Sequence, residues 1–151
     1  MTVAQVEAIQ ERFEGLLGKP AWNVKKGVGS FITMEFGEPI VEEGGHIHGA
    51  WHLWVYDCAW RLETQEKVLA ASEDELTVIE NALRSLEGLA IEKIALVLPS
   101  LETSLSFAQG YALRLFPVNS SDVEHWMLFT PEGKVLVIGP GMDWSYQDAD
   151  R

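Results

Sequence analysis

The chain of 151 residues is 47% hydrophobic and 10% aromatic, so one domain with a buried core is expected. Its 23 acidic and 11 basic residues leave a formal net charge of −12, which repels phosphate backbones and argues against nucleic-acid binding. No apolar run approaches the roughly 20 residues of a membrane span, so no membrane association is expected.

The cysteine content and the N-terminal segment indicate a compartment. Cys58 is the only cysteine, so no internal disulfide is expected and a reducing compartment is favoured. Residues 1–7 show no basic region followed by an apolar segment, so no secretory signal is predicted. A cytoplasmic protein is therefore expected.

Residues 1–36 predict a helix followed by a β-hairpin. Thr2 and Gln5 have the spacing of a capping box, in which each side chain bonds the backbone N–H of the other. Apolar residues then recur at helical spacing, at Val3, Val6, Ile9, Phe13 and Leu16. Gly18 is suited to end this helix. From residue 22 the pattern alternates, which predicts strands at 22–26 and 30–36.

The segment 50–62 holds three of the six tryptophans and is predicted to contain the central strand. Before it, residues 37–49 mix glycine, proline and acidic residues without periodicity, which predicts the longest exposed loop. Alternate side chains of the central strand share a face. One face holds Trp51, Leu53 and Val55, and the other holds His52, Trp54 and Tyr56. Because both faces are largely apolar, we expect a mid-sheet strand with a layer packed on each side.

A second helix is predicted near the middle of the chain, after strands at 60–63 and 67–71. Ser72 and Glu75 form a second capping-box pattern, and Gly88 is suited to end the helix. Its apolar stripe consists of Leu76, Ile79, Leu83 and Leu86.

The remaining residues alternate as strands joined by short turns, which favours antiparallel neighbours. These strands are predicted at 91–98, 103–108, 111–117, 125–130 and 134–138. Large side chains are sparse after residue 140, so the end is expected to fray after Trp144. The sequence thus predicts an α+β fold with largely antiparallel β-sheets, an N-terminal helix and a central helix.

The two halves of the chain also show a candidate internal repeat within the single domain 1–151. Residues 22–71 and 91–138 would be the half-repeats, joined by the helix at 72–87. Each contains a tryptophan-led segment, at Trp51 and Trp126, followed nine residues later by another alternating segment. The alternative is coincidence, because β-sequences are all built from alternating aromatic and branched residues.

Three histidines, His46, His48 and His52, form a short cluster whose imidazoles suit zinc or copper. A fourth ligand would have to come from an acid such as Glu42 or Glu43. Short histidine patterns arise freely, so solvated loop histidines are the favoured interpretation and no structural metal is expected.

No catalytic residue or cofactor site is predicted. Cys58 lies near His52 and Asp57, but its aromatic neighbours favour a small buried hydrophobe over a nucleophile. Glu35 and Arg61 are expected to form a cross-strand ion pair. The sequence contains no phosphate loop, dinucleotide fingerprint or nucleophile elbow.

Residues 29–37 (GSFITMEFG), residues 51–62 (WHLWVYDCAWRL) and the acidic α+β layout together carry a resemblance. The chain resembles small bacterial α+β domains, some of which are grouped with immunity proteins of polymorphic toxin systems. This resemblance implies a non-enzymatic protein that binds a protein partner, and it transfers no motif residue by residue.

Two functional hypotheses follow. In the favoured one, a cytoplasmic binding domain meets a basic protein partner through its acidic surface and the predicted loop, with Glu38, Glu42 and Glu43 accelerating the encounter. In the alternative, a small-ligand or metal-binding domain uses an aromatic pocket or the histidine cluster. The aromatic pocket would consist of Trp51, Trp54 and Tyr56. An enzyme, the third class, ranks behind both hypotheses.

Overall fold

The computed structural model describes residues 2–149, which form two α-helices and eleven β-strands. The helices are α1 (Val3–Phe13), followed by a 3-10 turn (Glu14–Leu16), and α2 (Leu76–Arg84). The strands are β1 (Ala21–Lys26), β2 (Ile32–Val41), β3 (Ile47–Val55), β4 (Cys58–Glu63), β5 (Val68–Ala71), β6 (Ile91–Val97), β7 (Glu102–Phe107), β8 (Ala112–Pro117), β9 (Trp126–Phe129), β10 (Lys134–Ile138) and β11 (Trp144–Asp148).

The strands form two antiparallel sheets. The six-stranded sheet has the order β1-β2-β3-β9-β10-β11, and the five-stranded sheet has the order β5-β4-β8-β7-β6. The predicted α+β fold with largely antiparallel sheets is therefore confirmed.

The two sheets pack against each other around one cluster of buried apolar side chains, to which both helices contribute. Polar contacts also join the sheets at their inner faces. The indole N–H of Trp126 on β9 donates to Thr103 Oγ1 on β7 at 2.9 Å. The indole N–H of Trp60 on β4 donates to the carbonyl of Ser30 at 2.9 Å. Each large aromatic ring thus fills the core while its one polar atom is satisfied.

The first helix follows its sequence prediction closely at its start. Thr2 Oγ1 accepts the N–H of Gln5, and the Gln5 side chain accepts the N–H of Thr2, which confirms the capping box. The apolar stripe is buried only in its second part, because Ile9 and Phe13 enter the core whereas Val3 is 69% exposed. Among residues 2–149, no helix is both long and apolar enough to cross a membrane.

The predicted capping box of the second helix is wrong. Ser72 Oγ accepts the N–H of Trp60 instead, so its hydroxyl serves strand β4. The helix begins later, with Glu75 as an N-cap that makes no side-chain capping bond. Because α2 packs against β1 and β5, the edge strands of the two sheets, tertiary packing decides where it begins.

The predicted loop at 37–49 is also wrong. β2 continues to Val41 and β3 begins at Ile47, so the connection is a tight turn at residues 42–46. Among the described strands, these ends of β2 and β3 pair with each other alone. Both faces of this hairpin end are therefore largely exposed. A hairpin with two exposed faces can form without alternation of apolar and polar residues.

Strand β3 lies inside the six-stranded sheet as predicted, between β2 and β9. Its inner side chains are buried, at Trp51, Leu53 and Val55. Its outer side chains are only partly buried, at His52, Trp54 and Tyr56. The predicted second packed layer is therefore wrong, because aromatic side chains on this outer face pack on one another.

The two tryptophan-led segments of the candidate repeat continue differently. β3 and β9 are neighbours in the six-stranded sheet, with Val55 opposite Trp126. β10 then stays in that sheet, whereas β4 crosses to the five-stranded sheet. The similarity of the halves remains a hypothesis from sequence. The predicted fraying after Trp144 is wrong, since residues 144–148 form β11 and pair with β10.

Candidate functional site

A cavity of about 630 Å³ opens on the outer face of the six-stranded sheet. Strands β1, β2, β3 and β9 form its floor, and the turn at 42–46 forms one wall. The lining includes Thr33, Glu35, His48, His52, Trp54 and Phe129, together with Asn23, Lys25, Glu42, His46 and Ile47. Five of the first six carry a polar group, and all of those six but Phe129 lie on the paired strands β2 and β3.

Glu35 is a buried carboxylate in this floor, with 3% of its surface exposed. Its Oε1 accepts the N–H of Gly49 at 2.8 Å, and its Oε2 lies 2.5 Å from Nδ1 of His52. Burial by itself raises the pKa of Glu35, but the hydrogen bonds from His52 and Gly49 outweigh burial, and the pKa lies below its ordinary value. Glu35 is therefore an ionised carboxylate that acts only as an acceptor.

The pairing of β2 with β3 creates this contact. Glu35 stands directly opposite His52 in the antiparallel register, so their side chains leave the sheet on the same face. A bulge between Phe36 and Pro39 then brings the backbone of Gly49 over Glu35. A Cβ atom at Gly49 would lie 2.6 Å from the carbonyl oxygen of Phe36, so only glycine permits this approach.

The expected Glu35–Arg61 ion pair is wrong. The expectation placed both residues on neighbouring strands, but β4 crosses to the five-stranded sheet. There Arg61 Nε donates to Glu63 at 2.7 Å, and Glu35 is left to bind His52.

The hydrogen bond to Glu35 sets the tautomer of His52. Since an ionised carboxylate has no proton to donate, Nδ1 of His52 must carry the proton. Among residues 2–149, His52 makes no second hydrogen bond, and its side chain is 23% exposed. In the neutral ring, Nε2 is then an unoccupied acceptor. His52 can take a hydrogen bond or a proton from a molecule in the cavity.

His48 is held differently, between two oxygen atoms. Its Nδ1 lies 2.8 Å from the carbonyl of Gly49, and its Nε2 lies 2.6 Å from Oε1 of Glu42. A carbonyl and a carboxylate both accept, so both bonds form only when the ring is cationic or when Glu42 carries a proton. The contact fastens the turn at 42–46 to β3 and shapes the cavity wall.

Trp54 and Phe129 give the cavity its apolar surface. The ring centroids of His52 and Phe129 lie 5.7 Å apart, and Trp54 follows two residues later on the same face of β3. Trp54 also packs edge-on against Tyr56 at 5.2 Å. Of the three aromatic residues proposed from the sequence, Trp54 lines the cavity, Tyr56 lies beside it, and Trp51 faces the core.

The three histidines proposed as metal ligands all line this cavity, with His46 and His48 ring centroids 6.3 Å apart. His48 and His52 are each bonded to a carboxylate. Within the part of the chain that the structure describes, no group of three histidine, cysteine or acidic side chains could hold a metal ion.

The three glutamates proposed to attract a basic partner take different positions. Glu42 lines the cavity and bonds His48. Glu38 lies on β2 and Glu43 in the turn, and both are exposed.

The expectation that Cys58 is a buried hydrophobe is confirmed. The thiol is buried and donates to the carbonyl of His125 at 3.1 Å. Burial, with a smaller effect of the Asp57 charge, raises the pKa of the Cys58 thiol to about 12. A thiol held in this way is protonated at neutral pH and is not an activated nucleophile.

Sequence reasoning missed Thr33 and Phe129 as cavity residues and assigned Glu35 to another partner. One signal was available, because Thr33 and Glu35 interrupt the apolar strand 31–36 at alternate positions and therefore share a face. Phe129 gave no comparable signal, since its place beside His52 depends on the pairing of β3 with β9.

Comparison of the chain with protein-family models, with curated proteins and with solved structures found no significant match. The function is therefore inferred from the residues of the site.

Proposed function

We propose that this protein binds a small molecule in the cavity on the outer face of the six-stranded sheet. The observation that carries the proposal is the buried Glu35, which orients His52 so that Nε2 opens to the cavity. A volume of about 630 Å³ lies within the range of roughly 300 to 1,000 Å³ that is typical of small-molecule sites.

Stability alone does not account for this arrangement. Burial of a carboxylate is costly even when it is paired, and an apolar residue at the same position often stabilises a fold at least as well. A buried carboxylate that satisfies one nitrogen of a histidine while the other faces a cavity is typical of functional sites. The aromatic rings of Trp54 and Phe129 add an apolar surface against which a ligand can pack.

The test is a fragment screen by two-dimensional NMR on the parent protein and two matched variants. Thr33→Trp places a large ring in the cavity, whereas Ser106→Trp makes a similar change on the outer face of β7 in the other sheet. Compounds that shift the amide signals of β2 and β3 should bind the parent and the Ser106 variant but not the Thr33 variant. Compounds bound elsewhere, or equally by all three proteins, would contradict the proposal.

A second candidate function is docking of a basic protein on the β2–β3 hairpin. Ile40, Val41 and Ile47 are 39%, 67% and 49% exposed at its end, beside the exposed Glu38 and Glu43. Exposed apolar side chains rimmed by charge are typical of protein interfaces. The net charge of −12 and the resemblance to immunity proteins favour a basic partner.

This candidate is tested with the double variant Glu38→Gln, Glu43→Gln. Glu42 is left unchanged because it bonds His48. A basic partner recovered from the native cytosol should associate more slowly with the variant and with a weaker dependence on salt. An association rate that changes neither with the double substitution nor with salt would contradict docking driven by charge.

A further inference from the structure

The hydrogen bonding of His52 restricts the chemistry of the molecule that the cavity accepts. We infer that the ligand is an aromatic compound with a hydroxyl group of the phenol class, which donates a hydrogen bond to Nε2 of His52. This inference rests on the proposed small-molecule site and names the class of ligand.

Few atoms of the Glu35–His52 pair remain available to a ligand. Both oxygens of Glu35 are occupied, one by the Gly49 N–H at 2.8 Å and one by His52 at 2.5 Å. Glu35 therefore offers no bare carboxylate oxygen to a cationic ligand. Within the Glu35–His52 pair, Nε2 of His52 is the atom left over, and in the neutral ring it accepts a hydrogen bond but cannot donate one.

The contact with Glu35 also gives this acceptor a fixed direction. A carboxylate bonded to Nδ1–H fixes the tautomer and the orientation of the ring, so the lone pair of Nε2 keeps one direction. The partner matched to such a nitrogen is a single O–H that donates a hydrogen bond along that direction.

The aromatic lining of the cavity restricts the shape of the ligand. Phe129 lies beside His52 with a centroid separation of 5.7 Å, and Trp54 follows on the same strand face. Two aromatic side chains next to one directed acceptor favour a flat, apolar body that carries its donor at one edge. An aromatic ring with a hydroxyl group combines these features.

The experiment compares two compounds of similar size by NMR titration near pH 8. 4-Methylphenol donates a hydrogen bond and is un-ionised at this pH, since a phenol of this kind ionises near pH 10. 4-Methylpyridine has only an acceptor. The parent protein should bind 4-methylphenol more tightly by about fivefold or more, the factor expected of one hydrogen bond.

Glu35→Gln is the decisive variant because it has the same shape and a different donor pattern. Its carbonyl can still accept the Gly49 N–H, so its amide N–H faces Nδ1 of His52 and makes that atom the acceptor. Nε2 then carries the proton and becomes a donor. The preference should therefore invert towards 4-methylpyridine.

Two further variants keep the test valid if the Glu35 variant fails to fold. His52→Phe retains a ring in the cavity and removes the acceptor, so it should lose the preference for 4-methylphenol. Glu43→Gln removes an exposed carboxylate of the turn that does not line the cavity, and it should keep the parental preference.

Equal binding of both compounds, or tighter binding of 4-methylpyridine by the parent, would overturn the assigned ligand class. The ligand class is also overturned when neither compound binds. If other fragments occupy the cavity in any of these cases, the proposed small-molecule site stands and only the ligand class is lost. A cavity that accepts no compound would remove both proposals.

Discussion

The outer faces of the two sheets each carry a carboxylate in a hydrogen-bonded network, and the partners of the two carboxylates differ. On the five-stranded sheet, Glu63 accepts from Arg61 and from Arg114, each at 2.7 Å. Arg114 also donates to Ser104 at 3.0 Å. These hydrogen bonds are the main reason that the pKa of Glu63 lies below its ordinary value. Glu35 on the six-stranded sheet instead binds a backbone N–H and one histidine nitrogen.

The different partners distinguish a surface ion network at Glu63 from the proposed ligand site at Glu35. Guanidinium groups are permanently charged, cannot accept a hydrogen bond and bind Glu63 at a part-exposed surface. A histidine has a second ring nitrogen that can act towards a ligand, and Glu35 fixes which nitrogen that is. The network at Glu63 therefore stabilises locally, whereas the one at Glu35 fixes which nitrogen of His52 carries the proton.

Gly49→Ala should have the largest effect on the Glu35 network. The new Cβ would meet the Phe36 backbone at 2.6 to 2.8 Å, so the strand pairing must shift and the bond to Glu35 must break. We expect a loss of about 3 kcal/mol in the free energy of unfolding, measured by urea denaturation. Gly27→Ala is the control, because its Cβ would meet a side-chain atom of Phe31 at 3.2 Å. Equal losses in both variants would contradict the proposed backbone constraint.

Glu35→Gln should cost more stability than Glu63→Gln. Glu35 is 3% exposed, and its loss weakens charge-assisted hydrogen bonds in a buried setting, for which we expect about 2 kcal/mol. Glu63 forms part-exposed ion pairs, whose contribution is typically within about 1 kcal/mol. About 0.5 M salt should reduce the effect of the Glu63 substitution and leave that of Glu35 nearly unchanged. A larger loss of stability in Glu63→Gln than in Glu35→Gln would contradict this expectation.

The Glu35 contribution should depend on pH in a defined direction. Its pKa is lower in the folded protein than the ordinary value, so the folded state favours the ionised form. The stabilisation is present above the unfolded pKa of about 4.3 and is lost as the pH falls through the folded value. The difference in unfolding free energy between the parent and Glu35→Gln should therefore shrink below about pH 4. A difference that grows on acidification would contradict the direction of the shift.

Much of the fold could be predicted from periodicity, but the site could not. The strands between residues 91 and 138 show clear alternation of apolar and polar residues. The two strands that meet at the site, β2 and β3, show this alternation only in their apolar parts. The hairpin end at 37–49 has no apolar face, so local composition indicated a loop. Glu35 was recognisable as an acid inside an apolar strand, but its partner depends on β4 leaving the sheet. That crossover is a tertiary event without a local sequence signal.

Trp54→Ala should have a small effect on stability and a large effect on binding. The sequence predicted a layer packed on this face of β3, which would bury Trp54, but this side chain lines the outer cavity and is only partly buried. Its counterpart is Phe116, which lies under Arg61 on the outer face of the five-stranded sheet. Both alanine variants should lose about 1 kcal/mol, and only the Trp54 variant should lose cavity ligands in an NMR titration. Loss of binding in both variants would point to general loosening of the fold.

The most direct measurement is which nitrogen of His52 carries the proton, because the proposed effect of Glu35 on ligand binding depends on it. Long-range ¹H–¹⁵N spectra of the imidazole identify which nitrogen of the neutral ring carries the proton. We expect a protonated Nδ1 and an unprotonated Nε2 in the parent, with the two exchanged in Glu35→Gln. A proton on Nε2 in the parent, or the same tautomer in both proteins, would contradict the claim that Glu35 prepares His52 for a ligand.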